Sequence, residues 1–302
     1  MKNCNKVTPE SRKLQRFLLS FGPKAKHVRQ TCCLIFLLIT LNTVFAQEYK
    51  TPTGAPYIGL GAYSQQLNDV FAMHHNQAAL GNQKNFAVGV FGERRFMLED
   101  LSSYSLAIVL PTGSGSFGLQ GSRFGFQGYN ETEAGLGYGL SLGKKISVGG
   151  RINYFSRQVP GYGNASVVNA EAGVLLYLTP KLTAGVHTYN PVSSKFGENK
   201  DEKLFSLYRF GVGYDVSSSV SLIAEVQKKE TQPVNIVSAI HYQFEKKFFA
   251  KLGISSEAAN IFAAAGLSLS DQFRLDVFAA HHRQLGFSPG ITIQYTFSKP
   301  KQ

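Results

Sequence analysis

From Phe86 to the C-terminus the chain alternates apolar residues with polar or small ones at a period of two, again and again. That repetition restricts the fold more than any other feature, because a period of two is the signature of a β-strand with two unlike faces. In 146–154, Ile146, Val148, Ile152 and Tyr154 share one face, while Ser147, Arg151 and Asn153 share the other. In 219–227, Val220, Leu222, Ala224 and Val226 oppose Ser219, Ser221, Glu225 and Gln227, with Ile223 as the exception. In 135–143, Leu136, Tyr138, Leu140 and Leu142 stand against glycines and a serine, and in 291–297 Ile291, Ile293, Tyr295 and Phe297 stand against Thr292, Gln294 and Thr296.

The pattern divides the chain into fourteen segments: 86–96, 103–110, 116–126, 132–142, 146–157, 166–178, 182–190, 204–216, 220–228, 234–244, 248–256, 260–269, 273–282 and 290–297. Such lengths suit tilted strands that cross a bilayer, which need about 9–11 residues. A soluble sandwich also alternates, so the connections decide between them. Gly143–Lys145, Thr179–Lys181, Ser217–Ser219, Glu245–Lys247 and Ser270–Gln272 are short, and 157–165, 191–203, 228–233 and 283–289 between them are longer; 256–260 is nearly as short as a turn. Short turns on one rim and longer loops on the other are expected of an outer-membrane barrel. Several apolar faces end in aromatics (Tyr104, Tyr138, Tyr154, Tyr208, Tyr214, Tyr242 and Phe297), as interfacial girdles do. The expected fold is all-β: a transmembrane antiparallel β-barrel of about fourteen strands over 86–302, preceded by a plug or periplasmic segment at 47–85. An even strand count puts both barrel ends on the short-turn, periplasmic side.

The first 46 residues read differently. Eight of the 31 Lys/Arg and one of the 19 Asp/Glu fall within 1–30, followed by an apolar run from Cys32 to Leu41 and the small-residue site Val44-Phe45-Ala46. This is the pattern of a secretory signal peptide over 1–46, with a run too short for a spanning helix. The formal charge of +12 therefore belongs largely to the targeting segment, and it gives no reason to expect a nucleic-acid partner. All three cysteines (Cys4, Cys32, Cys33) lie there too, so the exported part folds without disulfides.

The segment 68–80, Asn-Asp-Val-Phe-Ala-Met-His-His-Asn-Gln-Ala-Ala-Leu, resembles the N-terminal signature of the FadL superfamily of long-chain fatty-acid transporters, in which Asn-Pro-Ala-Gly-Leu precedes the barrel. Asp69, Ala72, Asn76, Ala78 and Leu80 match; Gln77 stands in place of the proline and Ala79 in place of the glycine. The resemblance implies a fourteen-stranded barrel whose N-terminal segment plugs the lumen, and a channel for small hydrophobic or amphipathic molecules. The texture of 93–96 (Glu-Arg-Arg-Phe) and 188–191 (Thr-Tyr-Asn-Pro) looks closest to the Bacteroidota branch that includes PorV and PorQ of type IX secretion. That branch implies the rival reading, a non-transporting scaffold for other envelope or secretion proteins, with the loop 191–203 making contacts.

Four of the seven histidines come in two doublets, His74-His75 and His281-His282. Neighbours on a strand point to opposite faces, so His281 faces outward and His282 the lumen, on the rim opposite the first doublet. A four-histidine zinc site is therefore not expected, and His74-His75 reads as a polar part of the plug. Alternation turns Arg151, His187, Arg209, Glu225, His241, Arg274, Asp276 and His282 into the lumen, as a structural network or a substrate path. No serine is fixed beside an outward histidine and paired acid, so the triad logic of a hydrolase is unmet; no cofactor is expected. Gly135, Gly137 and Gly139 recur at a period of two on one strand face, where they make room for the plug or for sheet curvature.

Overall fold

A computed structural model describes residues 60, 62–64, 67, 69–196, 202–230, 232–245, 247–257 and 260–297. The expected signal peptide at 1–46 and the first part of the plug segment lie outside the described residues. The strands are β1 (Phe86–Arg94), β2 (Ser102–Pro111), β3 (Ser116–Phe126), β4 (Tyr129–Leu142), β5 (Ile146–Val159), β6 (Gly163–Tyr177) and β7 (Leu182–Tyr189), then β8 (Leu207–Asp215), β9 (Val220–Lys229), β10 (Asn235–Phe244), β11 (Phe248–Ser255), β12 (Asn260–Ser268), β13 (Phe273–His282) and β14 (Gly286–Phe297). All pairings are antiparallel between sequence neighbours, and β1 pairs β14 from Phe86↔Phe297 to Glu93↔Gly290. The sheet is thus a closed barrel, and both its ends lie on the rim of the short turns.

Every strand places a large apolar residue on the outside: Val90 on β1, Leu119 on β3, Ile152 on β5, Phe210 on β8, Leu252 on β11 and Ile291 on β14 are all exposed. Soluble monomers rarely expose apolar patches beyond a few hundred Å². A belt running right round the barrel is a surface for lipid. The girdle forms at two levels, with Tyr104, Tyr154 and Tyr208 near the outer ends of their strands and Tyr214, Tyr242 and Phe297 near the turn ends. No described helix is long and apolar enough to cross a membrane; the strands do the spanning.

The loop lengths depart from expectation. β5 continues to Val159 and β6 begins at Gly163, so the supposed loop 157–165 shrinks to three residues, and β14 begins at Gly286, which shortens 283–289 in the same way. Gly161, Gly163 and Gly286 have φ of 84°, 107° and 89°, the left-handed conformations that tight hairpins require. The strands were hidden because above the headgroups the outward residues turn polar (Ser156, Gln158, Asn164, Ser166), and the alternation fades without the strand ending. Among the outer connections only 190–206 stays long; its last three residues, expected to open the eighth strand, belong to the loop.

The segment before β1 lies inside the barrel. Short 3-10 turns at Ala72–His74 and Gln77–Asn82 are buried, and they fit against inward glycines of the wall. A Cβ at Gly89 would strike Val70 and Phe71; at Gly118, Met73 and Leu80; at Gly139 and Gly149, Gln77; at Gly173, Asn76. Of the glycine row on β4, Gly139 clears the plug, while Gly135 clears the Asn153 and Arg151 side chains and Gly137 the Gly150 carbonyl and Arg151. Gly173→Val is therefore expected to leave the barrel folded, with its usual heat-dependent shift in gel migration, yet dislodge the inner segment. Cleavage by chymotrypsin after Phe71 or Leu80 in the purified protein should accelerate at least about tenfold, since only a locally opened segment is cut.

Candidate functional site: the plugged lumen

The inner segment, residues 69–83, has backbone hydrogen bonds mainly to itself and reaches the wall with side chains. Asn76 caps the second 3-10 turn, its Oδ1 accepting from the Ala78 N–H at 3.0 Å, as a side-chain oxygen at such a position commonly does. Its Nδ2 donates to the carbonyls of Val174 and Val186 at 3.3 and 3.2 Å. Asp69 accepts from the Phe71 N–H at 2.9 Å and from Gln294 Nε2 at 3.4 Å. Ala72, Ala78 and Leu80 are buried in one apolar cluster with Val70, Phe71, Met73 and wall residues such as Ala107 and Val109. All five motif residues thus lie within the lumen.

Gln77, which departs from the family signature, links the segment to a charged residue of the wall. Its Nε2 donates to Glu171 Oε2 at 2.6 Å. The other Glu171 oxygen accepts from Arg151 Nη2 and, at 2.9 Å, from Asn153 Nδ2. His187 Nε2 lies 2.9 Å from Oε2. Arg151 also donates to Gln120 and stands 3.7 Å from Glu133, and Glu133 accepts from the Tyr189 hydroxyl at 3.2 Å. Arg151, Glu171 and His187 have fully buried side chains. A buried guanidinium between two carboxylates holds its charge only because the pairing offsets desolvation.

A second polar group occupies the opposite wall. Arg209 lies 3.9 Å from Glu225, which accepts from Gln227 at 2.5 Å. Arg274 pairs with Asp276 at 2.7 Å and lies 4.3 Å from the Phe249 ring centroid; Gln294 bridges Asp276 to Asp69 at 3.2 and 3.4 Å. His241 stacks on Phe249 with ring centroids 5.3 Å apart. Six of the eight lumen-facing residues expected from alternation are buried, namely Arg151, His187, Arg209, Glu225, His241 and Asp276. Arg274 is partly exposed. His282 differs: it sits at the outer rim, its Nδ1 accepting from the N–H groups of Gln284 and Leu285 at 3.2 Å each, so it shapes a hairpin rather than lining the lumen. His74 lies 3.4 Å from Ser105, inside the barrel, while His281 packs edge-on against Phe287 at the outer end of β13. Among the described residues no three His, Cys, Asp or Glu side chains form a metal-binding group.

Alternation also marks Glu133, Glu171 and Lys251 as inward, although the charged set expected from sequence omitted them. They follow from the same rule once it is carried through 132–142, 166–178 and 248–256.

At the outer end the described parts of the loop, 190–196 and 202–206, pack against the inner wall. Asn190, at φ 50°, turns the chain inward, and its side chain holds the loop by donating to the Leu204 carbonyl at 2.7 Å and accepting from the Ser194 N–H at 3.0 Å. Phe196 and Leu204 pack with Phe155, Val167, Tyr189 and Leu207 in a separate apolar cluster. Arg157 ties the rim to this cap through Glu202 at 2.5 Å and Phe196 at 4.9 Å. The loop expected to contact partners turns Phe196 and Leu204 inward at the mouth, where they are hidden from water.

Two substitutions separate the latch from the wall. Glu171→Ala takes away the closer of the two carboxylates that offset the buried Arg151 charge, leaving Glu133 at 3.7 Å, and is expected to cost the barrel about 3–5 kcal/mol, seen as a lower urea midpoint for unfolding. Gln77→Ala removes two hydrogen bonds, to Glu171 and to the Met73 carbonyl, each worth roughly 1 kcal/mol, and is expected to leave that midpoint unchanged while the inner segment becomes sensitive to chymotrypsin.

No protein-family model and no curated protein sequence matches the chain. Solved structures share its architecture. It is similar to the toluene transporter TbuX of Ralstonia pickettii, with a TM-score of 0.57 and 11% identity, covering 84% of this chain and 100% of that one. The toluene transporter TodX of P. putida gives 0.58 and 8%, covering 80% and 99%. A FadL homologue of Pseudomonas aeruginosa gives 0.58 and 11%, covering 85% and 100%. At these identities the likeness is one of fold: this chain is built as a FadL-like β-barrel.

Proposed function

We propose that the protein is a channel of the outer membrane for small hydrophobic or amphipathic molecules, exported by residues 1–46 and closed by the plug segment ending at residue 85. The observation that carries this reading is the plug's mode of attachment. The wall is complete without it, since all fourteen strands pair with one another and none with residues 69–83. The plug is tied in by side-chain hydrogen bonds, from Asn76, Gln77 and Asn82 to the wall and from Gln294, Ser116 and Ser141 of the wall to it, and Phe71, Met73, Gln77 and Leu80 seat it against glycines. Burying Val70, Phe71, Met73 and Leu80 contributes about 6–12 kcal/mol, at about 1.5–3 each. Complete expulsion is therefore rare, and opening proceeds by a local shift that a ligand's own contacts offset.

The apolar lining of the cap, Phe155, Val167, Phe196 and Leu204, offers a hydrophobic ligand its first contact. Below it, Arg151, His187, Arg209, Glu225, His241, Arg274 and Asp276 form the polar lining of the route, committed to one another rather than to free ions. The names of similar structures, which include a monoaromatic hydrocarbon channel and toluene transporters, support the same ligand class. The second reading is a non-conducting scaffold of the PorV and PorQ type, serving type IX secretion or other envelope proteins. The burial of 69–80 at one end of the lumen and of Phe196 and Leu204 at the other is the feature that favours it.

Uptake of toluene and of laurate into liposomes tests the channel. Deleting 69–83 is expected to raise flux at least about tenfold over the intact protein while the barrel still folds. If the intact barrel and the deletion are equally impermeable, conduction is excluded and the scaffold remains.

A further inference from the structure

The two edges of β6 are treated differently. Along one edge it pairs with β5 almost throughout, from Gly163↔Val159 to Leu176↔Ile146. Along the other, pairing with β7 begins only at Glu171↔Tyr189. There β7 ends and the cap turns inward, so 163–170 has no strand partner on this edge among the described residues. The last link is the Asn190 N–H donating to the Ala170 carbonyl at 2.8 Å. Backbone groups on one edge of a strand belong to alternate residues. The same edge therefore carries the N–H and C=O groups of Asn164, Ser166 and Val168, and no backbone hydrogen bond from a described turn or loop reaches any of these three.

This edge stands at the water side of the membrane. Tyr154, of the outer aromatic level, lies opposite Val168, and beyond it the outward residues are Ser156, Asn164 and Ser166. Natural sheets blunt an open edge with Lys, Pro or a bulge. The stretch Gly-Asn-Ala-Ser-Val-Val-Asn-Ala at 163–170 has no charge and no proline. An exposed apolar side chain brackets it on each side: Tyr162, 93% exposed, just before it, and Val192, 72% exposed, just past Asn190.

We propose that the edge 164–168 of β6 is a docking strand for an extended, uncharged, β-branched segment of another protein, which adds to the sheet as a further strand with Tyr162 and Val192 gripping its ends. An open row of alternating donors and acceptors is complementary to extended backbone and to little else. A second copy of this chain fits poorly. Two barrels in one membrane share an orientation, so an axis along the membrane normal brings their β6 edges together in parallel, the less stable pairing. The edge is present whether or not the lumen conducts, so its failure and that of the channel reading are distinguishable.

Amide-resolved hydrogen exchange on the protein in nanodiscs tests the edge. Ser166 and Val168 should exchange at least about tenfold faster than Val167, whose N–H faces β5. A ten-residue alternating Thr–Val peptide should slow Ser166 and Val168 alone. Ser166→Pro should weaken that peptide at least about tenfold, with the gel shift of the folded barrel unchanged. A photo-crosslinking residue at position 164 should, in native membranes, give an adduct to an extended segment of another polypeptide, lost in Ser166→Pro. The proposal is overturned if Ser166 and Val168 are already slow in the purified protein, if the peptide binds Ser166→Pro equally well, if no adduct forms, or if the adduct is with a second copy.

Discussion

Everything in this molecule depends on one pairing, that of β1 with β14. Hydrocarbon offers no partner for a backbone N–H or C=O, and each orphan there costs several kcal/mol. An open fourteen-stranded sheet would leave two such edges. The register from Phe86↔Phe297 to Glu93↔Gly290 removes both. It also fixes the stability of a chain that has no cysteine after Cys33, because the cross-linking that disulfides supply elsewhere is supplied by closure. The strand edge left open at the outer end of β6 lies above the outer aromatic level, where water can satisfy it.

Closure creates an interior, and the interior then has to be filled. The wall contributes charges to it on many strands, and in a confined, largely desolvated space those charges have to find partners. Glu171 shows how the requirement becomes structure. It holds Arg151 and Asn153 from β5, lies against His187 from β7, and accepts from Gln77 of the inner segment. One carboxylate thus joins the wall to the plug. Glu133 extends the same network through Tyr189 to the apolar cluster of the cap, so the two closures of the lumen rest on one set of hydrogen bonds. Glycines make this possible: at Gly139, Gly149 and Gly173 the wall has no side chain, and plug atoms occupy the space.

The barrel itself was legible in the sequence. Alternation located all fourteen strands, most within three residues of their ends, because lipid outside and polar groups inside impose a period of two that each strand repeats independently. Arg151, His187, Arg209, Glu225, His241 and Asp276, which it assigns to the inward face, are buried. It failed where the physical contrast disappears. Above the headgroups the outward residues of β5 and β6 are no longer apolar, while Phe155 and Val167 face inward to the cap, and the hairpin at 160–162 looked like part of a nine-residue loop. His282 obeys the alternation, yet it lies at the rim, and height along a strand leaves no mark in a period-two pattern.

The sequence by itself determined the architecture, since strand number, facing and closure follow from local patterning against two unlike solvents. Only the tertiary structure decided what fills the barrel. That Gln77 meets Glu171, ninety-four positions away, that Phe196 and Leu204 fold inward over the mouth, and that β6 outruns β7 are outcomes of packing between segments distant in sequence. No local period encodes such contacts, because each depends on the shape of a cavity that exists only once the sheet has closed.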